Sequence, residues 1–235
     1  TVSVETVVPY RLKVAVEPEV EALSPEHEEL EFDIDAEYLF GAPASELDAE
    51  ATVTFEHRRK RFEEYPGYVF DDEAMSFASV ERRVFDGTLD ENGTAAVSWS
   101  IPDFTRVPSA LDAVIEARVL EKGGRPNLGR ARLAYEPYQR YVGLDRPELR
   151  YGYVRLGNEV SMRFMLVDSA GRPVIGSPVE YRIYKNESYW WWEYDNRRDF
   201  RLHYRSDQNT ELITEGVLRS AETPVSIGFT PEEWG

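Results

Sequence analysis

The stretch from residue 30 to residue 40 constrains the fold more than any other part of the sequence. Its apolar residues occupy every second position, at Leu30, Phe32, Ile34, Ala36, Tyr38 and Phe40, and carboxylates stand between them at Glu31, Asp33, Asp35 and Glu37. A period of two directs successive side chains to opposite faces of a strand, so one face can pack on a core while the other meets water. The stretch therefore predicts a half-buried β-strand.

The same period recurs along the chain. Further alternating runs begin at Leu12, Val53, Val97, Leu111, Val160, Val179, Phe200 and Val225. Segments rich in Gly, Asn, Asp and Pro separate them, at 41–43, 90–93, 122–126 and 168–173, and these residue types favour turns. No convincing stretch repeats at helical spacing. The pattern predicts an all-β fold made of two tandem antiparallel β-sandwiches of the immunoglobulin or fibronectin kind.

The strands form two sets on either side of residues 135–147. That stretch carries two prolines and little alternation, which is typical of a linker. We predict an N-terminal tail over 1–9, a first sandwich over 10–138 and a second over 139–235. The first set has room for an insertion, which we place at 56–85 because alternation weakens there.

Composition limits the partners of the chain. Its 235 residues include 44 acidic and 27 basic side chains, a formal net charge of −17, which repels phosphate backbones and predicts no nucleic-acid partner. No run approaches the roughly 18 to 20 apolar residues of a membrane span, so we expect no direct membrane insertion by this segment. The N-terminus has neither an initiator Met nor a signal pattern, and we interpret the chain as an excised or processed piece.

The usual motifs of catalysis and metal binding do not occur. His27, His57 and His203 are far apart in sequence without an HExxH pair, there is no GxSxG elbow, and the chain has no Cys. The Gly-rich segment at 123–129 lacks the GK[ST] ending of a phosphate loop and predicts a hairpin turn instead. We therefore predict that the chain is not an enzyme and has no catalytic, cofactor-binding or metal site.

Two charged segments leave alternatives open. The carboxylates between Glu17 and Glu37 are dense enough for calcium, but the later ones alternate with apolar residues and would lie along one solvated strand face instead of converging on an ion. The basic run at 57–61 is either an interaction patch or, as we favour, a solvated strand end or loop.

Three of the five tryptophans are adjacent, within the sequence NESYWWWEYD at 186–195. In a strand, Trp190 and Trp192 would share one face and Tyr189 and Trp191 the other, so the aromatics cannot form a single platform. We favour packing of one face in a sandwich core, and we predict Tyr189, Trp190, Trp191 and Trp192 as a possible interdomain or partner contact. A carbohydrate- or peptide-binding patch is the alternative.

Several segments together resemble a known family. Residues 8–14 and then 37–55 look like the opening of a macroglobulin domain in bacterial α2-macroglobulins, where a strand ending in Tyr-Leu-Tyr-Gly-Ala-Pro-Ala turns into the next strand. Phe40 stands here in place of the last Tyr of that motif. Further similar segments follow in the same order, at 67–70, 88–90, 121–126, 141–144, 167–174, 189–190 and 234–235.

The resemblance implies two macroglobulin domains that act as non-catalytic scaffold in a broad-spectrum endopeptidase inhibitor. Members of that family are large periplasmic proteins, often lipoproteins anchored to the inner membrane, that trap proteases after cleavage of a bait region. The implied partners are neighbouring macroglobulin domains and, through the parent protein, target proteases. The internal thioester of many members needs Cys, so it cannot lie in this chain. A tandem adhesion or carbohydrate-binding module that uses aromatics around Trp191 is the alternative function.

Overall fold

A computed structural model of the protein describes residues 12–104, 106–121, 126–145, 155–194 and 202–233, with the backbone alone over 186–194 and 202–210. Every regular element in these residues is a β-strand, and none is a helix that could cross a membrane. The strands are β1 (Leu12–Pro18), β2 (Ala22–Leu23), β3 (Glu29–Tyr38), β4 (Asp48–Arg58), β5 (Tyr68–Val69), β6 (Val80–Thr88), β7 (Thr94–Ser100), β8 (Ala110–Leu120), β9 (Pro126–Tyr135), β10 (Arg140–Asp145), β11 (Val160–Asp168), β12 (Pro178–Tyr194), β13 (Leu202–Arg219) and β14 (Val225–Phe229).

The strands belong to two compact units. The first unit takes the described residues of 1–60 and 70–139, and the second takes those of 61–69 and 140–235. The chain therefore passes from one unit to the other after residues 60, 69 and 139. The tail predicted at 1–9 lies outside the described residues, and the boundaries at 138 and 139 stay a prediction.

The first unit is a sandwich of two sheets. One has the strand order β1-β3-β7, and the other has the order β2-β9-β8-β4-β6, in which only the short β2–β9 pair is parallel among the described strands. The predicted alternation is observed on β3, where Leu30, Phe32, Ile34 and Ala36 are buried and the intervening carboxylates are exposed. Alternate residues of β4 and β8 are buried in the same core, because each sheet turns its apolar face to the other.

The second unit combines a four-stranded sheet with a two-stranded one. The four-stranded sheet has the order β14-β11-β10-β5, and β12 pairs with β13 in an antiparallel hairpin. The hairpin strands have 17 and 18 residues, which corresponds to about 60 Å at about 3.4 Å per residue. The longest strands of the first unit have 11 residues.

A common arrangement relates the two units. Each unit contains a strand that pairs on one side with a strand from earlier in the chain and on the other side with a strand from later in the chain. This middle strand is β3 in the order β1-β3-β7 of the first unit and β11 in the order β10-β11-β14 of the second. The register agrees as well, since Lys13 pairs with Glu37 and Tyr141 pairs with Val167, each one residue from the end of its strand pair. After each middle strand the chain makes a turn that contains Gly and Pro. The turn ends in an isolated antiparallel β-bridge, between Glu37 and Pro43 in the first unit and between Val167 and Pro173 in the second.

The predicted all-β fold of two tandem antiparallel sandwiches is confirmed. The turns predicted at 41–43, 90–93 and 168–173 each follow a strand or connect two strands, and β8 and β9 form the hairpin predicted around 122–126. Residues 122–125 and Phe200 lie outside the described residues.

Three details of the sequence interpretation are wrong. The segment 135–147 is not a plain linker, because β10 occupies Arg140–Asp145 and pairs on both sides. The insertion placed at 56–85 is too wide at both ends, since 56–58 belong to β4 and 80–85 belong to β6. Both faces of β6, an edge strand, are half-solvated, so its alternation is weak. Phe40 does not continue the buried face of β3, since it lies in the following turn with 80% of its surface exposed and stacks on Tyr38.

Candidate functional site

The predicted aromatic contact site lies in the long hairpin of the second unit. Tyr189, Trp190, Trp191 and Trp192 are consecutive residues of β12, and their backbone partners on β13 are Asp207, Ser206, Arg205 and Tyr204. The strand conformation on which the prediction depended is therefore present. The side chains of these four residues lie outside the described part, so the predicted contact role stays a prediction.

The described part of the same hairpin exposes apolar side chains. Tyr184 and Leu212 pair across the two strands just after a β-bulge, and both are about half exposed, as is the neighbouring Ile213. Ion pairs flank this apolar cluster: Arg182 Nε lies 3.2 Å from Glu215 Oε2, and Lys185 Nζ lies 2.7 Å from Glu233 Oε2. Apolar residues ringed by charges are typical of an interaction surface.

A serine, a histidine and an aspartate meet in the first unit, which sequence inspection did not indicate. His57 Nε2 lies 3.2 Å from Asp71 Oδ1 and 3.3 Å from Ser109 Oγ, and the Ser109 hydroxyl donates to Asp71. The geometry differs from that of a catalytic triad, in which the carboxylate orients the ring through one nitrogen and the serine contacts the other. Here both contact the same nitrogen, and Ser109 is buried.

This cluster has a structural role. Asp71 Oδ1 also accepts a hydrogen bond from the backbone N–H of Lys60, and Ser109 Oγ lies 3.2 Å from the Arg58 carbonyl oxygen. Asp71 therefore joins the end of β4 to the point where the chain re-enters the first unit. The contacting residues are 11 to 52 positions apart in sequence, so no short motif could have predicted their meeting.

An ion-pair network lies beside the cluster. Glu136 Oε1 accepts from Arg58 Nη2 at 2.6 Å and contacts Lys60 Nζ at 2.8 Å. Asp112 extends the network, since its two oxygens lie 3.0 Å from Arg58 Nε and from Arg132 Nη1. Lys60 is buried, and Glu136 places a carboxylate next to its ammonium group. The basic run at 57–61 is thus in part a structural feature of the first unit.

The acidic segment on β1 and β3 follows the solvated-face interpretation. Glu29, Glu31, Asp33 and Asp35 are exposed on β3, and Glu17 of β1 lies directly opposite Asp33. A concave surface beside Asp90 is lined in part by these carboxylates. Among the described residues, no three His, Cys, Asp or Glu side chains are grouped in a way that could hold a metal ion.

Comparisons with known proteins agree with the arrangement of the fold. A family model of the bacterial alpha-2-macroglobulin MG5 domain matches residues 10–137, and a model of bacterial macroglobulin domain 6 matches residues 143–235. Two sandwiches in tandem that match these models in order are macroglobulin domains. The chain belongs to the bacterial alpha-2-macroglobulin family.

Relatives cover the whole chain. It is 25% identical over 247 residues to the alpha-2-macroglobulin of Escherichia coli strain K12, which includes 99% of this chain and 15% of that protein. It is 26% identical over 240 residues to the alpha-2-macroglobulin of Xylella fastidiosa strain Temecula1, which includes 100% of this chain and 14% of that protein. The chain thus spans about one seventh of the length of these relatives.

A solved structure shares the fold. The structure of Escherichia coli alpha-2-macroglobulin activated by porcine elastase superposes with a TM-score of 0.65 at 24% identity, over 96% of this chain and 20% of that chain. The family models confirm the predicted family resemblance, and the solved structure shows that the fold is shared.

Proposed function

We propose that these two domains are non-catalytic scaffold in a bacterial alpha-2-macroglobulin, a broad-spectrum endopeptidase inhibitor that traps proteases in the periplasm. The observation that carries the proposal is the match of both compact units, in order, to consecutive macroglobulin domains. The Escherichia coli alpha-2-macroglobulin is activated by porcine elastase, which supports a protease as the target of the parent protein.

Protease inhibition by the full-length parent protein tests the trapping role. After reaction with porcine elastase, we expect the trapped enzyme to keep cleaving a small peptide substrate while its cleavage of a large protein substrate falls strongly. The chain alone, added at the same concentration, should leave both activities unchanged because it contributes scaffold only. Inhibition by the chain alone would contradict the scaffold role, and full activity on the large substrate with the parent would contradict trapping.

Limited proteolysis separates a scaffold from a bait-bearing segment. Cleavage needs locally accessible backbone, so paired strands resist it. For scaffold domains we expect slow cuts at positions that differ between proteases of different specificity. Rapid cuts by unrelated proteases clustered in 56–85 or 186–199 would show that this chain itself carries a bait-like loop.

We infer that the parent protein is periplasmic and anchored to the inner membrane as a lipoprotein, on the strength of the family resemblance. Membrane fractionation with an antibody against this chain tests that inference. The parent should sediment with inner membranes and be digested by protease added to spheroplasts. Recovery in the cytoplasmic fraction would overturn the localisation without affecting the scaffold role.

We also propose Tyr189–Trp192 as the surface that meets neighbouring macroglobulin domains. Exposed Tyr184, Leu212 and Ile213 in the same hairpin support a contact role. The competing carbohydrate-binding function predicts a saturable change in tryptophan fluorescence with polysaccharides that Trp191→Ala abolishes. The scaffold proposal predicts no such change.

A further inference from the structure

The segment 61–69 joins the second unit although it follows β4 of the first. Its strand β5 extends the four-stranded sheet, with Val69 opposite Leu144 and Tyr68 opposite Asp145 on β10. The match to the first macroglobulin domain spans 10–137 and therefore includes these residues. The sheet of the second domain thus ends in a strand whose residues lie about 75 positions earlier in the chain than their partners on β10.

Phe62 anchors the segment. Only 8% of its surface is exposed, and its ring centroid lies 6.2 Å from that of Tyr141 in an edge-to-face arrangement. The turn at Gly171 leaves room for the ring, because a Cβ at position 171 would lie 2.8 Å from Phe62 Cδ1. Between Phe62 and β5, backbone hydrogen bonds from Tyr65 to Phe62 and from Tyr68 to Tyr65 hold two successive turns.

The face of the four-stranded sheet that carries Tyr141 is buried, whereas the corresponding face in the first unit is exposed to solvent. In the first unit, the pair Lys13 and Glu37 forms an exposed ion pair with 3.1 Å between Nζ and Oε1. The corresponding pair of the second unit is Tyr141 and Val167, and both are buried. A solvated salt bridge on one sheet is therefore replaced by an apolar pair on the other.

The burial pattern along the middle strands supports this difference. On β3 only alternate residues are buried, as expected for a sheet with one solvated face. On β11 the four consecutive residues Phe164–Val167 are all buried, so both faces of that strand are covered. Phe62 lies on the face that carries Tyr141 and Val167.

We propose that the edge of β10, Tyr141 and the turn at Gly171 form a binding site for an aromatic peptide segment that ends in a short strand, and that residues 61–69 are its ligand in cis. Recognition combines backbone pairing along an edge strand with one buried aromatic anchor, the mode by which many domains bind peptides. The second macroglobulin domain is then complete only together with 61–69, and residues 143–235 lack part of its fold. Such completion of one domain by a segment of the preceding one is a property beyond the scaffold function.

A double-mutant cycle in the full chain tests the site. Gly171 and Gly176 have φ of +85° and +79°, so Ala is strained at both, but only at 171 would the new Cβ meet Phe62, since nothing lies within 4 Å at 176. We expect Gly171→Ala to raise hydrogen exchange of the 160–168 strand by about tenfold more than Gly176→Ala does. In the Phe62→Ala background, which removes the clash, the two glycine variants should differ far less. Equal effects of the two variants, or a difference that persists without the Phe62 ring, would overturn the proposal.

A second readout uses Phe62 alone. Phe62→Ala should speed exchange across 140–145 and 160–168 in the second unit, whereas Phe40→Ala, which removes the same ring from an exposed turn, should leave both regions unchanged. If Phe62→Ala changes exchange only in strands of the first unit, such as β4 and β6, the segment does not complete the second unit. If that variant fails to fold, the comparison of Gly171→Ala with Gly176→Ala still decides the question.

Discussion

At the scale of single residues, one turn geometry recurs and depends on a few side chains. Asp90 and Asp168 each begin a turn with the same two backbone hydrogen bonds. The N–H of the Asp donates to the carbonyl oxygen four residues later, and the N–H of the Gly three residues later donates to the carbonyl oxygen of the Asp. In both turns the Asp Oδ1 accepts from the N–H groups two and four residues on, at 2.8 to 3.0 Å. Gly in the left-handed region closes such three-residue loops.

The Asp90 turn makes the stability of the first unit depend on pH. The backbone N–H of Thr94, followed by that of Asn92, holds the pKa of Asp90 below its ordinary value, and partial desolvation opposes them. A carboxyl whose pKa is depressed in the folded state stabilises the protein above its unfolded pKa, and this contribution is lost as the pH falls through the folded pKa. We expect Asp90→Ala to lower the urea midpoint of the first unit at pH 7, with a difference that shrinks below about pH 4.

The neighbouring Glu91 provides the control for that measurement. Its side chain is exposed and its backbone carbonyl accepts from Ser45 Oγ, so Glu91→Ala leaves that hydrogen bond in place. This variant should have the same urea midpoint as the wild type at pH 7 and at about pH 2. A destabilisation by Asp90→Ala that is as large at about pH 2 as at pH 7 would contradict the assignment to the ionised carboxylate.

At the scale of elements, the ion-pair network around Glu136 ties β4, β8 and β9 together. Lys60 is buried, and Glu136→Gln would remove the negative charge that compensates it. We expect this substitution to lower the free energy of unfolding of the first unit by about 2 kcal/mol or more, because a buried charge loses an ion-pair partner. Urea denaturation, monitored with a probe located in β4 or β8, measures the change in the free energy of unfolding.

Glu116 is a matched control for Glu136. It also pairs with two cations, Arg118 and Arg130, but both arginine side chains are more than half exposed. Water replaces the lost interaction there, so Glu116→Gln should cost less than about 1 kcal/mol. Equal costs at the two positions would show that the burial of Lys60 does not set the strength of the network.

Which elements the sequence reveals depends on how each strand meets its neighbours. β3 has one buried face and charged residues on the other, so its period is plain. β6 lies at a sheet edge, and its register shifts opposite Ala51 and Thr52, which changes the phase of its apolar residues. β9 directs Asn127 and Gly129 inward, and the latter is small because a Cβ would lie 2.8 Å from Val14.

The candidate sites were harder to predict than the strands. The aromatic segment was evident because it is contiguous, whereas the Ser109 cluster and the Phe62 anchor join residues from distant parts of the chain. β10 was hidden because Gly143 interrupts its pattern and Val142 and Leu144 remain partly exposed. The Ser109 cluster, the Phe62 anchor and β10 depend on contacts between residues far apart in sequence, which local sequence patterns do not reveal.

At the scale of the whole molecule, the connection from β5 to β6 offers a test of how the chain is distributed between the units. The described residues 70–79 contain no strand, and Asp72 to Ala74 are exposed. A specific protease site inserted after Glu73 would divide the chain into a fragment with β1–β5 and a fragment with β6–β14. Because β3 pairs with β7, β4 with β8, and β5 with β10, we expect the cut protein to elute on native size exclusion like the intact 27.1 kDa chain.

A denaturing gel of the same sample shows whether the cut is complete, since the chain has no Cys and only non-covalent contacts can hold the fragments together. Two bands on the gel together with a single native peak would show that strand pairing within both units keeps the fragments associated. The first fragment contributes β1, β2, β3 and β4 to one unit and β5 to the other, so its release would require the pairing in both units to break. Two native peaks after cutting would contradict this distribution of strands. As a control, the variant with the inserted site should elute before cleavage as a single peak, at the position of the wild-type chain.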